Sequence, residues 1–151
     1  MTPPAFTAAL RRRLAVLAES YERLAGTPLI AAGDDLAEAL WRHPAAIVAH
    51  GIEDDPIFFF GNAAALAAFE LDFAGFTRLP SRLSAEPGLC AEREALLARV
   101  AAQGMIRDYA GIRISATGRR FPIDQVVIWD LIDQAGIRHG QAAMFEPPPA
   151  E

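Results

Sequence analysis

The run Ile57-Phe58-Phe59-Phe60-Gly61-Asn62, followed directly by Ala63-Ala64-Ala65-Leu66-Ala67-Ala68-Phe69, constrains the chain more than any other stretch. A short run of bulky apolar residues reads as a buried strand, and Gly61 breaks it. Asn62 then falls where a helix N-cap belongs, because its side-chain oxygen can accept from the unpaired N–H groups of a first turn. Beyond it Leu66, Phe69, Phe73 and Phe76 recur at spacings of three and four, which predicts helical segments with one apolar face.

Other elements follow from the same logic. Phe6, Leu10, Leu14, Leu17, Tyr21 and Leu24 form the stripe of a long N-terminal helix that Gly26 stops. Asp34 or Asp35 caps a shorter helix through Leu36, Leu40 and Trp41, ended by Pro44. Ala45 to His50 reads as a first strand, joined to the phenylalanine strand by the acidic turn Gly51 to Pro56. After the broken stretch Leu79 to Gly88, Leu89, Arg93, Leu96, Leu97 and Val100 suit a helix that ends at Gly104. The period then becomes two: Ile106, Ala110, Ile112 and Ile114 alternate with Arg107, Tyr109, Gly111 and Arg113. Thr117-Gly118 turns this strand into a partner with Phe121, Ile123, Val127, Trp129 and Leu131 on one face, and a last strand spans Ile137 to Phe145. The chain divides into a helical extension over 1–44, a domain over 45–146 and a proline-rich tail over 147–151.

Bulk properties exclude several functions. At 151 residues with 52% hydrophobic and 22% charged residues, the chain has the makeup of one water-soluble domain with a full core. It lacks an apolar run of membrane-spanning length, so no membrane partner is expected, and its single Cys90 suits a reducing compartment, with the cytoplasm as the expected location. All 14 basic residues are arginine, which rules out a lysine Schiff base and a P-loop lysine. A net charge of −5 argues against nucleic acid as a partner, and Arg11-Arg12-Arg13 reads as a solvated helix face.

Two strands, a set of short helices and three long antiparallel strands is the element order of a PAS domain. The expected fold class is therefore α+β, a PAS-like five-stranded antiparallel sheet with short helices on one face and an N-terminal helical extension. The competitor is the cone-shaped ketosteroid isomerase-like fold, whose helices mostly precede the sheet. His50-Gly51, Asp55-Pro56-Ile57-Phe58, Gly61-Asn62-Ala63-Ala64, Leu79-Pro80-Ser81-Arg82-Leu83-Ser84-Ala85-Glu86, Asp108-Tyr109-Ala110-Gly111-Ile112-Arg113, Gly118-Arg119-Arg120-Phe121 and Gly140-Gln141-Ala142-Ala143 occur in that order. Together they resemble the MEKHLA domain family over nearly the whole chain. The resemblance implies a PAS-like domain, found alone in bacteria and at the C-terminus of plant homeodomain-zipper transcription factors, where it is regarded as regulatory or sensory. It implies no assigned reaction or defined ligand.

Phototropin-type PAS domains carry Asn-Cys-Arg before the long helix; lined up on the arginine, this chain has Pro80-Ser81-Arg82, and a serine cannot form a covalent flavin adduct. Cys90, further on, reads as a small buried hydrophobe. Haem is disfavoured because Leu89 to Gly104 contains no histidine, and His43, His50 and His139 lack ligand spacing. No cofactor is named. Asp108 and Gln125 are expected to point inward, from the parity of Ile106 and Ile112 and of Ile123 and Val127. With Trp129, Phe69, Phe121 and Gln141 they make up the candidate ligand-binding set. The structural alternatives are an ion pair of Asp108 with Arg113 or Arg82, a bulge that reverses the parity, and a purely core role for the aromatic rings.

The function expected is a non-enzymatic sensory or regulatory module that binds a small apolar or aromatic ligand and signals by protein association. A homodimer through the Phe6 to Leu24 stripe is one such association, against the stripe packing on its own sheet. The alternatives are a ligand-free dimerisation module and a small enzyme of the cone fold with Asp108 or His50 as base.

Overall fold

The computed structural model describes residues 1–85 and 90–149. The Glu86-Pro87-Gly88 break, Leu89 and the side chains of Cys90 and Arg93 lie outside the described residues. In chain order the elements are α1 (Ala8–Ala25), α2 (Leu36–Arg42), β1 (Ala46–His50), β2 (Phe58–Gly61), α3 (Ala63–Phe69), α4 (Phe73–Phe76), a 3-10 turn (Ser81–Ser84), α5 (Cys90–Gln103), β3 (Met105–Ile114), β4 (Arg120–Ile132) and β5 (Arg138–Phe145). The five strands form one sheet in the order β2-β1-β5-β4-β3, every described pairing antiparallel. The early hairpin thus joins the late strands through β1 and β5, as the PAS-like reading requires, and α3, α4 and α5 interrupt the sheet while α1 and α2 precede it.

Asn62 organises the junction of four elements. Its Oδ1 accepts from Ala65 N at 3.1 Å, the N-cap bond of α3, and also from Ile47 N at 3.0 Å. Its Nδ2 donates to Ala45 O at 2.8 Å and Leu40 O at 3.1 Å, and its own N–H donates to Ile47 O at 3.0 Å. The residue is fully buried, so each of those backbone groups depends on it for a partner that water cannot replace. The capping role is visible in sequence; the ties back to α2 and β1 are not.

The sheet has two covered faces. On the inner face α3, α4 and α5 lie over Phe58, Phe121, Ile128 and Phe145 of the strands, with Phe69 from α3 and Phe76 from α4 packed into the same cluster. On the outer face α1 lies over Phe60, Trp129, Leu131 and Ala142. Thr7 caps α1 and Gly26, at φ 80, closes it in the left-handed conformation that glycine adopts without a Cβ clash. The apolar stripe of α1 is therefore used within the chain, with Leu14 and Leu17 at 0% exposure. The basic run is spent in the same way: Arg11 pairs with Asp35 at 3.3 Å, and Arg13 lies 3.8 Å over the Phe59 ring.

Two irregularities decide which side chains face inward. Between Ile106↔Ile128 and Tyr109↔Val126 strand β3 has one residue more than β4; between Tyr109↔Val126 and Gly111↔Ile123 the excess is on β4. Each bulge reverses the alternation of its strand. Tyr109, Gly111 and Arg113 accordingly follow Ile106 onto the inner face, and Ile112 is left 38% exposed. On β4 the excess residue is Gln125, at φ 51, so Phe121 and Ile123 face inward while Val127, Trp129 and Leu131 face α1. The single-face reading of these five residues is corrected by that bulge.

Replacement of Asn62 tests the junction. Asn62→Ala is expected to cost about 3 kcal/mol, the loss of a cap together with buried carbonyls left unpaired. Asn62→Asp, which preserves the cap acceptor but turns an oxygen toward the carbonyls, is expected to cost at least as much. Urea unfolding of both variants measures this, and a near-native Asn62→Asp protein would reduce the residue to a simple cap.

Candidate functional site

The inner face has an aromatic floor and a polar margin. Phe58 stacks on Phe76 with centroids 4.2 Å apart, and Phe69 meets Phe76 at 5.5 Å and Phe121 at 5.4 Å. Helix α3, which supplies Phe69, is clasped at its end by the Glu70 carboxylate, which accepts from the hydroxyls of Ser115 and Thr117. Those hydroxyl bonds, Ser115 first, hold the Glu70 carboxyl below its usual range.

The polar margin comes from adjacent strands. His50 pairs with Gln141, and Gln141 pairs with Asp130, so the three share a row and a face. Asp130 is 8% exposed and is satisfied by Arg138 Nε at 3.3 Å and Gln141 Nε2 at 3.4 Å. His50 is half-buried; its Nδ1 lies 2.9 Å from Gly51 O, and since a carbonyl only accepts, Nδ1 carries the proton of the neutral ring. Nε2 is then the free acceptor, without a protein partner among the described residues. Burial lowers the His50 pKa below its ordinary 6.5, and the positive fields of Arg138 and Arg113 act in the same direction, against the Gly51 bond and Glu53.

Arg113 stands at the other end of the margin. Its Nη1 donates to Ser84 Oγ at 3.3 Å, and its Cζ lies 5.9 Å from the Tyr109 ring centre. Burial lowers its pKa, Tyr109 alone opposing, yet a guanidinium remains charged at neutral pH.

The sequence profile of the MEKHLA domain matches residues 11–147. The chain belongs to the MEKHLA domain family. This MEKHLA domain is 29% identical over 135 residues to the homeobox-leucine zipper protein HOX10 of Oryza sativa subsp. indica, covering 84% of this chain and 16% of that one. It thus spans a small fraction of its plant relative. Among solved structures it is similar to a PAS domain from Colwellia psychrerythraea, with a TM-score of 0.64 at 13% identity over 74% of this chain and 92% of that one. It is also similar to an RNA-binding light-oxygen-voltage receptor, with a TM-score of 0.61 at 19% identity over 73% of this chain and 31% of the receptor. At such identities the likeness establishes the fold, which is PAS-like and not the isomerase cone.

Of the residues singled out from sequence, the MEKHLA domain brings Phe69, Phe121 and Gln141 to the inner face. Trp129 is fully buried on the opposite face, where its Nε1 donates to Leu17 O at 3.1 Å and its ring meets Tyr21 edge-on. Asp108 is exposed and pairs with Arg99 at 2.8 Å, not with Arg113 or Arg82; Arg82 pairs with Asp55 at 3.1 Å. Gln125 is exposed at its bulge. Their expected inward orientation is overturned by the two strand bulges. Asp130, Arg138 and Ser84 were missed as lining residues. A usable sign was present in Tyr109-x-Gly111-x-Arg113, a period-two trio whose middle member leaves room for its neighbours.

The His50 shift has a definite pH signature. Its pKa is lower folded than unfolded, so between the folded value and 6.5 the unfolded chain holds the extra proton and stability rises with pH. Stability is therefore expected to fall as pH drops below 6.5, before the depressed carboxylates Asp35, Glu53, Glu70 and Asp133 begin to lose theirs. Melting temperatures measured from pH 7 downward should show this slope in the native protein and a flatter one in His50→Gln.

Proposed function

We propose that this MEKHLA domain is a non-enzymatic sensory or regulatory module. It holds a small apolar or aromatic molecule between the inner face of the sheet and the short helices, and it reports occupancy by a changed association with another protein or a second copy. What supports this reading is the presence, beside the aromatic floor, of polar groups without full internal partners, His50 Nε2 and the Arg113 guanidinium. Unpartnered polar groups in half-buried positions are costly, and a ligand relieves that cost.

The route outward runs along β4. Ile128 and Asp130 face the ligand side, and Trp129 and Leu131, their immediate neighbours, face α1. Helix α1 is tied to that strand by few polar bonds: Trp129 Nε1 to Leu17 O, Ser20 Oγ with both backbone groups of Ile132, and Arg23 to Ile132 O at 2.9 Å. A ligand with different affinity for two packings of α1 shifts their populations. Release of α1 would bare the outer face for a partner, and its stripe would serve in a homodimer only after that release.

The stacked Phe58 and Phe76 rings and the fully buried Phe69 favour the second reading, a ligand-free interaction module with a filled inner face. Native mass and the visible spectrum of the purified protein separate the two: added small mass or a chromophore supports sensing, and an empty dimer supports interaction alone. Trp129→Phe, which removes the tie to Leu17, is expected to cost about 1–2 kcal/mol and to raise amide exchange in residues 8–25 ahead of the sheet. Unchanged exchange there would sever α1 from the signalling route.

A further inference from the structure

We infer that Arg113 anchors an anion subsite on the inner face, and that the molecule held there is a carboxylate with an aromatic or apolar body. This deepens the sensor reading and rests on it. The geometry begins with Gly111, where an added Cβ would stand 2.5 Å from the Tyr109 hydroxyl oxygen and 3.0 Å from Cζ. The tyrosine ring therefore lies back over the glycine, toward Arg113, which shares its face two positions on.

Arg113 is set apart by its burial: Arg12, Arg23, Arg78 and Arg107, which also meet no carboxylate among the described residues, are exposed, and half-buried Arg13 lies over the Phe59 ring. In a chain with 19 acidic and 14 basic residues, Arg11, Arg42, Arg82, Arg99 and Arg138 each meet a carboxylate within 4 Å, as a surplus of acid predicts. Arg113 meets none among the described residues. Its bonded partners are the Tyr109 side chain and the Ser84 hydroxyl, whose own proton is already given to Ser81 O at 2.7 Å. The fork of remaining N–H donors matches one planar carboxylate. Asp130, the acid of the margin, is occupied by Arg138 and Gln141. Across the strand Arg113 pairs with Phe121, whose ring leads to Phe69, and this continuity gives the body of the ligand its apolar, aromatic character.

The test uses 2-naphthoate and its neutral isostere 2-naphthamide, titrated by calorimetry into the full chain. The native protein is expected to bind naphthoate about tenfold or more tightly than naphthamide, and Arg113→Met to lose that advantage while binding naphthamide as before. Ligand-free Arg113→Met should melt at the same or a higher temperature, because an unpaired charge is removed. Gly111→Ala, which displaces Tyr109, should weaken naphthoate in a folded protein. Equal affinity for both compounds, with Arg113→Met inert, would overturn the anion subsite and leave the sensor reading standing. A lower melting temperature of Arg113→Met with unchanged naphthoate affinity would make Arg113 structural and likewise overturn the subsite. Failure of the native protein to bind either compound would count against both readings.

Discussion

The fold depends on one buried amide. Asn62 ends β2, caps α3 and bonds to the backbone of β1 and the end of α2, so a single side chain fixes the angle at which the chain leaves the sheet and turns over its inner face. An amide suits the position because it offers an acceptor toward two N–H groups and donors toward carbonyls at once. Aspartate, an equally good cap on an isolated helix, has no donor for the carbonyls, and serine has a single hydroxyl proton where Asn62 Nδ2 serves Leu40 O and Ala45 O. Everything the inner face presents, Phe69 on α3 and Phe76 on α4 above all, is positioned downstream of this junction.

The second constraint is the pair of offsetting bulges between β3 and β4. A single bulge would leave the two strands out of step for the rest of their length. Two, one on each strand, restore the pairing while exchanging the faces of everything between them and the hairpin end. The outcome is that β4 serves both layers, sending Phe121 and Ile123 to the short helices and Trp129 and Leu131 to α1. It also carries Arg113, on a strand whose Arg107 and Asp108 stand at the surface, into a half-buried place.

Legibility in the sequence follows the same physics. The order of strands and helices was readable because periodicity, Gly61, Gly26 and the capping residues Thr7, Asp35 and Asn62 act locally, and local rules survive folding. The aromatic floor was readable for the same reason, since Phe69 and Phe121 are too large and apolar to be placed elsewhere. The polar lining was not. Strict alternation through β3 and β4 assigns Asp108 and Gln125 inward, and nothing in composition marks the bulges that send them out. Gln125 at φ 51 is a left-handed residue without glycine's freedom, which only the register of the neighbouring strand imposes. The same alternation puts Trp129 in the wrong layer, although its size and apolar face mark it for burial.

These two constraints give the domain a particular way of joining its faces. A strand with opposite faces in two cores transmits displacement with little loss, because adjacent residues point opposite ways and close-packed interiors resist compression. In β4 the polar margin and the anchor of α1 are neighbours in sequence, Asp130 beside Trp129, so under the sensor proposal a displacement of Asp130 through Arg138 or Gln141 would reach the indole that bonds to Leu17. Helix α1 combines a buried stripe with polar ties concentrated on one strand, at Trp129 and Ile132, which is the attachment the proposed reporter role would need. A helix held by the whole sheet would be indifferent to a ligand on the other side. One held chiefly through β4 would answer, on the sensor proposal, to the strand that also borders the inner face.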